Sequence, residues 1–181
     1  LERGAWWLHI IGILFFLNYL YYSKHLHILL AFPNTYYANL EVPGRFNNLE
    51  SVTREVKLMM DPSADPYAVP EDEPETAEKF GAREVADLTR IQLLNAYTCT
   101  ECGRCTSVCP ANLTGKELSP RAIMMKTRDR LEEVSGFIDE NGEDKFKSEG
   151  DGRSLLDYVK AEEIWACTSC NACVEACPVD I

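Results

Sequence analysis

Two cysteine runs with one spacing constrain this chain more than anything else in it. Cys99-x-x-Cys102-x-x-Cys105-x-x-x-Cys109-Pro110 recurs as Cys167-x-x-Cys170-x-x-Cys173-x-x-x-Cys177-Pro178, and together the runs use all 8 cysteines. This is the ligand spacing of 4Fe-4S clusters: three thiolates from a tight loop take three irons, and the fourth, beyond a short turn, ligates the other cluster. The reading assigns Cys99, Cys102, Cys105 and Cys177 to cluster one, and Cys109, Cys167, Cys170 and Cys173 to cluster two. Any fold that obeys it must bring the two runs side by side, because neither ligand set is complete without the other segment.

Zinc knuckles are built from paired C-x-x-C elements, and a doubled run of four cysteines closed by proline does not match them. A secreted disulfide scaffold has no use for two identical cluster-spaced runs. Cluster ligands must stay reduced, which places the soluble part in the cytoplasm. Around the ligands, Thr100, Thr106, Ser107, Thr168 and Ser169 offer hydroxyls to sulfur. Arg104 either favours the reduced, more negative cluster or is a solvated surface residue.

The formal net charge of −11 argues against a nucleic-acid partner. The hydrophobic fraction of 46% looks ordinary until its distribution is seen. From Gly4 to Ser23 no side chain is charged, a stretch long enough for a helix to span a bilayer. Trp6 and Trp7 stand at one end and Tyr19, Tyr21 and Tyr22 near the other, as in an aromatic belt. A signal peptide needs a basic leader and a small-residue cleavage site, and AFPN is a poor one. The apolar pattern runs on to Pro33, too long for an ordinary buried helix. The weak excess of Lys24, Arg45 and Arg54 over Arg3 puts the carboxyl-terminal side in the cytoplasm.

All three histidines belong to this stretch. On one continuous helix His9 and His27 are five turns apart, share a face and lie about 27 Å apart, while His25 points to nearly the opposite side. That is the pattern of a helix supplying one axial ligand to each of two b haems, so His9 and His27 are candidate haem ligands. Gly12 leaves room for a flat macrocycle. The competing reading is interfacial: His25 and His27 stand beside Lys24, where amphipathic side chains snorkel, and His9 bonds a neighbouring helix.

The rest of the chain reads as helix and linker. Pro43-Gly44 is a turn signal, and Asn48 caps a short amphipathic helix with Leu49, Val52, Val56 and Met59 or Met60 on one face. Pro62, Pro66, Pro70 and Pro74 among acidic residues read as an extended, self-repelling linker or as a strip lying in a partner's groove. A helical pattern returns with Val85, Leu88, Ile91 and Leu94. Ser119-Pro120 opens a helix to about Val134, stopped by Gly136. The segment DENGEDKFKSEGDG reads as an exposed loop. Ser154-x-x-Asp157 starts a helix carrying Leu155, Leu156, Val159 and Ile164. No run has strand alternation. The expected fold is all-α: a transmembrane helix over 1–32, a juxtamembrane segment over 33–60, an acidic Pro-rich linker over 61–81, and an α-helical ferredoxin domain with two 4Fe-4S clusters over 82–181. A chain that opens at Leu1 and closes three residues after Pro178 reads as part of a larger polypeptide, its first helix the last of a bundle.

Residues 97–181, YTCTECGRCTSVCPANLTGKELSPR through EEIWACTSCNACVEACPVDI, resemble the α-helical ferredoxin domain of heterodisulfide reductase-like iron–sulfur oxidoreductases. Related domains occur in the iron–sulfur subunits of glycerol-3-phosphate dehydrogenase and succinate dehydrogenase. Residues 5–33, AWWLHIIGILFFLNYLYYSKHLHILLAFP, look like the last helix of the nitrate reductase gamma-subunit-like cytochrome b domain. That family's haem histidines match His9 and His27. The resemblances imply an iron–sulfur oxidoreductase of the cytoplasmic membrane, its cluster domain on the cytoplasmic side. They also imply a cytochrome b domain or other membrane helices as neighbours, and a flavoprotein or cysteine-rich subunit as redox partner. The expected function is electron relay between a quinone or b-haem pool and that partner, with no residue acting as acid, base or nucleophile. The alternative is a structural or assembly subunit of a respiratory supercomplex with redox-inactive clusters.

Overall fold

The computed structural model describes residues 2–40, 48, 50–61 and 81–181. Pro43-Gly44, Leu49 and the prolines of the linker lie outside these residues. Every regular element among the described residues is helical, as the missing strand alternation requires. Residues 1–44 and 83–181 form one compact unit and 45–82 another. Among the described residues of the second unit lies helix α3 (Glu50–Met60), with Val52, Val56, Met59 and Met60 exposed.

In the first unit α1 (Glu2–Tyr21) is 20 residues long, about 30 Å at 1.5 Å per residue. It is long and apolar enough to cross a bilayer, and Leu20 is its one buried residue. Trp6, Trp7, Leu8, Phe15 and Tyr19 all point outward.

The apolar stretch is not one helix, which corrects the continuous span expected to Pro33. Tyr22 and Ser23 donate their N–H groups to Tyr19 and Leu20, ending α1. Ser23 is extended, and its hydroxyl oxygen caps a 3-10 turn over Lys24–Leu26 by accepting the N–H of His25. Then α2 (His27–Tyr36) begins, and it passes through Pro33 without stopping. An interior proline costs a helix about 3 kcal/mol; packing of α2 on α4 (Arg90–Thr98), together with the bond Asn34 donates to Val179 and the one it accepts from Thr98, holds it through. The break also removes the premise that put His9 and His27 on one face. The His25 ring lies 6.2 Å from His27 and 6.4 Å from Phe16, centroid to centroid, rather than on the opposite side.

The helical pattern expected from Val85 onward is interrupted. A 3-10 turn at Val85–Asp87 is capped by the Glu84 carboxylate, Leu88 is extended, and Thr89 with Gln92 forms the capping box of α4. After the first cysteine run come α5 (Arg104–Ser107) and α6 (Pro110–Leu113). Ser119 caps α7 as expected, but α7 (Pro120–Asn141) runs through Gly136 and stops only at Gly142. A single interior glycine costs about 1 kcal/mol, less than the packing beyond it supplies. Phe137 meets Phe146 edge to face, and Phe146 belongs to α8 (Glu143–Glu149), so the expected loop is partly helix. The Ser154/Asp157 capping box is present, yet it opens only one turn, α9 (Leu155–Tyr158). Val159 is extended, and α10 (Ala161–Trp165) follows before the second run and α11 (Ala172–Glu175).

Arg130 of α7 is completely buried. Its guanidinium donates to both oxygens of Glu84, at 3.1 and 2.9 Å, to Asp151 at 2.7 Å, and to the Arg153 carbonyl. One side chain thus fastens the start of the domain and the loop before α9 to the central helix.

Candidate metal centre

The two cysteine loops share one backbone. In the first, Glu101 and Gly103 have positive φ, 56° and 80°; in the second, Ser169 and Asn171 take the same places with 54° and 58°. Alternating right- and left-handed residues turn successive N–H groups inward, a concavity that receives anions and cluster sulfur. The N–H of Ser169 donates to Cys167 Sγ at 3.4 Å, and the N–H of Glu101 serves Cys99. The next N–H groups, those opening α5 and α11, reach the second cysteine of each run. Arg104 N–H, with the Thr100 hydroxyl and the Arg104 charge, holds the Cys102 thiol below its ordinary pKa. Ala172 N–H, with the Thr168 hydroxyl, does the same for Cys170. Burial instead pushes the thiols of Cys99 and Cys173 up.

The left-handed position after the second cysteine makes a prediction. Gly103→Val puts a β-branched side chain at φ 80°, which costs about 1–3 kcal/mol, and is expected to lower the yield of intact first loop. Asn171→Gly, at the equivalent place, is expected to be tolerated. Iron and sulfide content of the two variants, purified side by side, checks this.

Of the hydroxyls expected to serve sulfur, those of Thr106 and Ser107 are engaged elsewhere. Thr106 pairs with the Ser119 hydroxyl at 2.9 Å, and Ser107 donates to the Arg104 carbonyl. Thr106 also accepts the N–H of Arg121, so it ties the first loop to the start of α7.

Six of the eight thiols meet at one cavity of about 390 Å³. Cys99, Cys102, Cys105 and Cys177 line it, with Cys167 and Cys173. Its other walls are mostly apolar, including Leu118, Ile123, Met124, Ile164 and Val174, with Thr100, Arg121 and Glu163 among them. Cys99 feels the charges of Cys105 and Cys177, and Cys173 those of Cys167 and Cys105. Cys109 is buried against Leu118 and Ala166, the latter two residues before Thr168. All eight are free thiols. Among the described residues no three His, Cys, Asp or Glu side chains converge as a single ion requires; thiolates on the outer corners of a cube stand farther apart than the four around a zinc ion. Free thiols, inward N–H groups and mostly apolar walls fit iron–sulfur clusters.

Residues 98–181 match the 4Fe-4S dicluster domain. These residues form an iron–sulfur domain of the dicluster kind, within a chain that has a relative named as an oxidoreductase. The chain is similar to a probable iron-sulfur-binding oxidoreductase, FadF, of Bacillus subtilis, with 32% identity over 97% of this chain and 26% of that protein. An EtfAB:quinone oxidoreductase of Syntrophomonas wolfei is 29% identical over 99% of this chain and 24% of its own length. A probable membrane-anchored ferredoxin of Chromohalobacter salexigens is 35% identical over 56% of this chain and 17% of its own. Heterodisulfide reductase iron–sulfur subunits match about half of the chain. The chain spans about a quarter of the length of the first two relatives. No solved structure matches it.

Three further side chains around the site carry no local signal in the sequence. Glu101, between two cysteines, is paired with Arg128 of α7 at 2.8 Å. Glu163, buried in the cavity wall, accepts Lys126 at 2.6 Å and the N–H of Lys160 at 2.9 Å. Asn34 of α2 is buried beside the cluster segments. Apart from Lys160, three residues before Glu163, each partner lies at least 27 positions away. His9 lines a shallow groove on α1 with Gly12 and Phe16 and no cysteine, and neither His25 nor His27 lines the thiol cavity.

Proposed function

We propose that this chain is a membrane-anchored relay with two 4Fe-4S clusters, passing electrons between a quinone or b-haem pool and a partner redox protein, a flavoprotein or a cysteine-rich subunit. Cluster one is held by Cys99, Cys102, Cys105 and Cys177, cluster two by Cys109, Cys167, Cys170 and Cys173. The observation that carries the reading is one cavity where Cys99, Cys102 and Cys105 of the first run meet Cys167, Cys173 and Cys177 of the second, as the crossed ligand sets require. The clusters, when bound, supply one-electron carriage; the chain's own contribution is to hold thiolates in nests of N–H groups and to keep water out with apolar walls.

The anchor is α1, outward-facing on all sides within a segment taken as 1–32. The juxtamembrane stretch 33–60 and the acidic linker 61–81 join it to the cluster domain, 82–181, on the cytoplasmic face. The names of two relatives, a quinone oxidoreductase and a membrane-anchored ferredoxin, support the quinone and membrane parts of this reading. Redox titration followed by paramagnetic resonance tests the relay. Two interacting cluster signals are expected to appear when quinol or the native donor is supplied. Clusters that never change oxidation state would instead favour the structural role.

Haem ligation by His9 and His27 is a finer reading, and one observation favours it at each residue. The His27 Nδ1–H donates to the Lys24 carbonyl at 2.8 Å, which leaves Nε2 free, as in ligating histidines. His9 opens on the groove beside Gly12. A reduced-minus-oxidised spectrum of the detergent-solubilised full-length protein without b-type bands rejects it.

A further inference from the structure

Asn34 is a polar residue in the apolar stretch HILLAFPNTY and is only 9% exposed. Its side chain reaches two segments that lie far from it in the chain. Nδ2 donates to the Val179 carbonyl at 2.7 Å, and the Thr98 hydroxyl donates to Oδ1 at 3.2 Å. A carbonyl only accepts, so Val179 sets which way the amide faces. The Thr98 hydroxyl also has the Leu94 and Asn95 carbonyls within reach, at 3.1 and 3.2 Å, which makes the bond to Val179 the firmer tie.

The places of these partners give the contact its meaning. Thr98 immediately precedes Cys99, and Val179 lies two residues beyond Cys177. These are the chain segments that deliver the first and last thiolates of cluster one. Among the described residues no hydrogen bond from α2 reaches Cys109 or the loop 167–173. The same junction brings Tyr21, at the end of α1, near Tyr97 of α4.

We propose that Asn34 is a positioning residue for cluster one: it clamps the Cys99 end of α4 to the tail after Cys177 and seats cluster one, rather than cluster two, against the helix that begins at His27. The proposal rests on the ligand assignment above. Cluster one draws its ligands from segments 78 positions apart, Cys99 and Cys177, and a buried amide bridging them limits how far the fourth thiolate can move from the other three.

The test uses the full-length polypeptide, purified without oxygen in detergent, and three variants. Asn34→Leu removes both bonds, Asn34→Asp sets a carboxylate oxygen against the Val179 carbonyl, and Thr98→Val removes only the weaker tie. Cys177→Ser and Cys109→Ser identify which paramagnetic signal belongs to which cluster. The expected result is a shift in midpoint potential and loss of intensity for cluster one alone, larger for the Asn34 variants than for Thr98→Val. An unchanged cluster two shows in the same sample that the domain has folded. Equal loss of both clusters in all three variants, or no selective change in cluster one, overturns the role of Asn34. If Cys177→Ser and Cys109→Ser do not remove different signals, the ligand assignment itself has failed, and the proposal with it.

Discussion

Cys109→Ser is expected to abolish cluster two, the cluster carried by a loop nearly sixty positions away, and to leave cluster one in place. The substitution removes one thiolate of four, and a serine oxygen does not replace it in a soft, sulfur-ligated site. Cys109 is buried against Leu118 and Ala166, so the change falls inside the wall shared by the two runs and not on a free surface. Iron and sulfide should fall by about half, as one of two four-ligand clusters disappears. Paramagnetic resonance on the reduced protein should lose the signal that Cys167→Ser also loses. Loss of the first loop's cluster instead, the one that Cys99→Ser removes, would mean that each run holds its own cube.

Arg130→Met is expected to destabilise the cluster domain by about 3 kcal/mol. Removing one partner of a buried ion pair costs about 3–5 kcal/mol because it strands charge, and here the lower end applies. Glu84 and Asp151 keep side-chain exposures of 16% and 12%, so water reaches them once the guanidinium is gone. Methionine fills most of the volume, which keeps a cavity out of the comparison. A triple change to Arg130→Met, Glu84→Gln and Asp151→Asn should recover much of the loss, since no charge is then stranded. Chemical denaturation of the cluster-loaded protein, monitored by circular dichroism, measures both.

The same cluster of charges sets an acid limit. Hydrogen bonds from Arg130 hold Asp151 down at about 2, from an ordinary 3.8. A depressed carboxylate contributes stability that is complete above its unfolded value and disappears as pH falls through the folded one. Stability should therefore drop between about pH 4 and pH 2. Asp151→Asn should flatten that part of the profile.

Much of the centre was legible in the residues because ligand spacing is a local property. A C-x-x-C-x-x-C loop must present three thiolates to one object wherever it folds, and Cys-Pro a few positions on marks the fourth. The Ser119-Pro120 and Ser154/Asp157 caps were likewise readable, since a cap is satisfied within one turn. Element ends were less so. Gly136 and Pro33 carry stop signals worth only about 1 and 3 kcal/mol, and packing on α8 and α4 overrode them. The histidine geometry failed for the opposite reason. Ser23 broke a helix that apolar periodicity alone continued, because its hydroxyl satisfies the N–H of His25 in an extended turn.

By itself the sequence determined the cofactor class, the all-helical character of the described residues and the need for the two runs to meet, all consequences of residue type at short spacing. Only the tertiary structure decided which distant groups serve the site: Arg128 on Glu101, Lys126 on Glu163, and Asn34 between Thr98 and Val179. A hydrogen bond depends on two atoms being within about 3 Å. Between positions 27 to 145 apart in the chain, that distance is set by how helices pack, which no local pattern encodes.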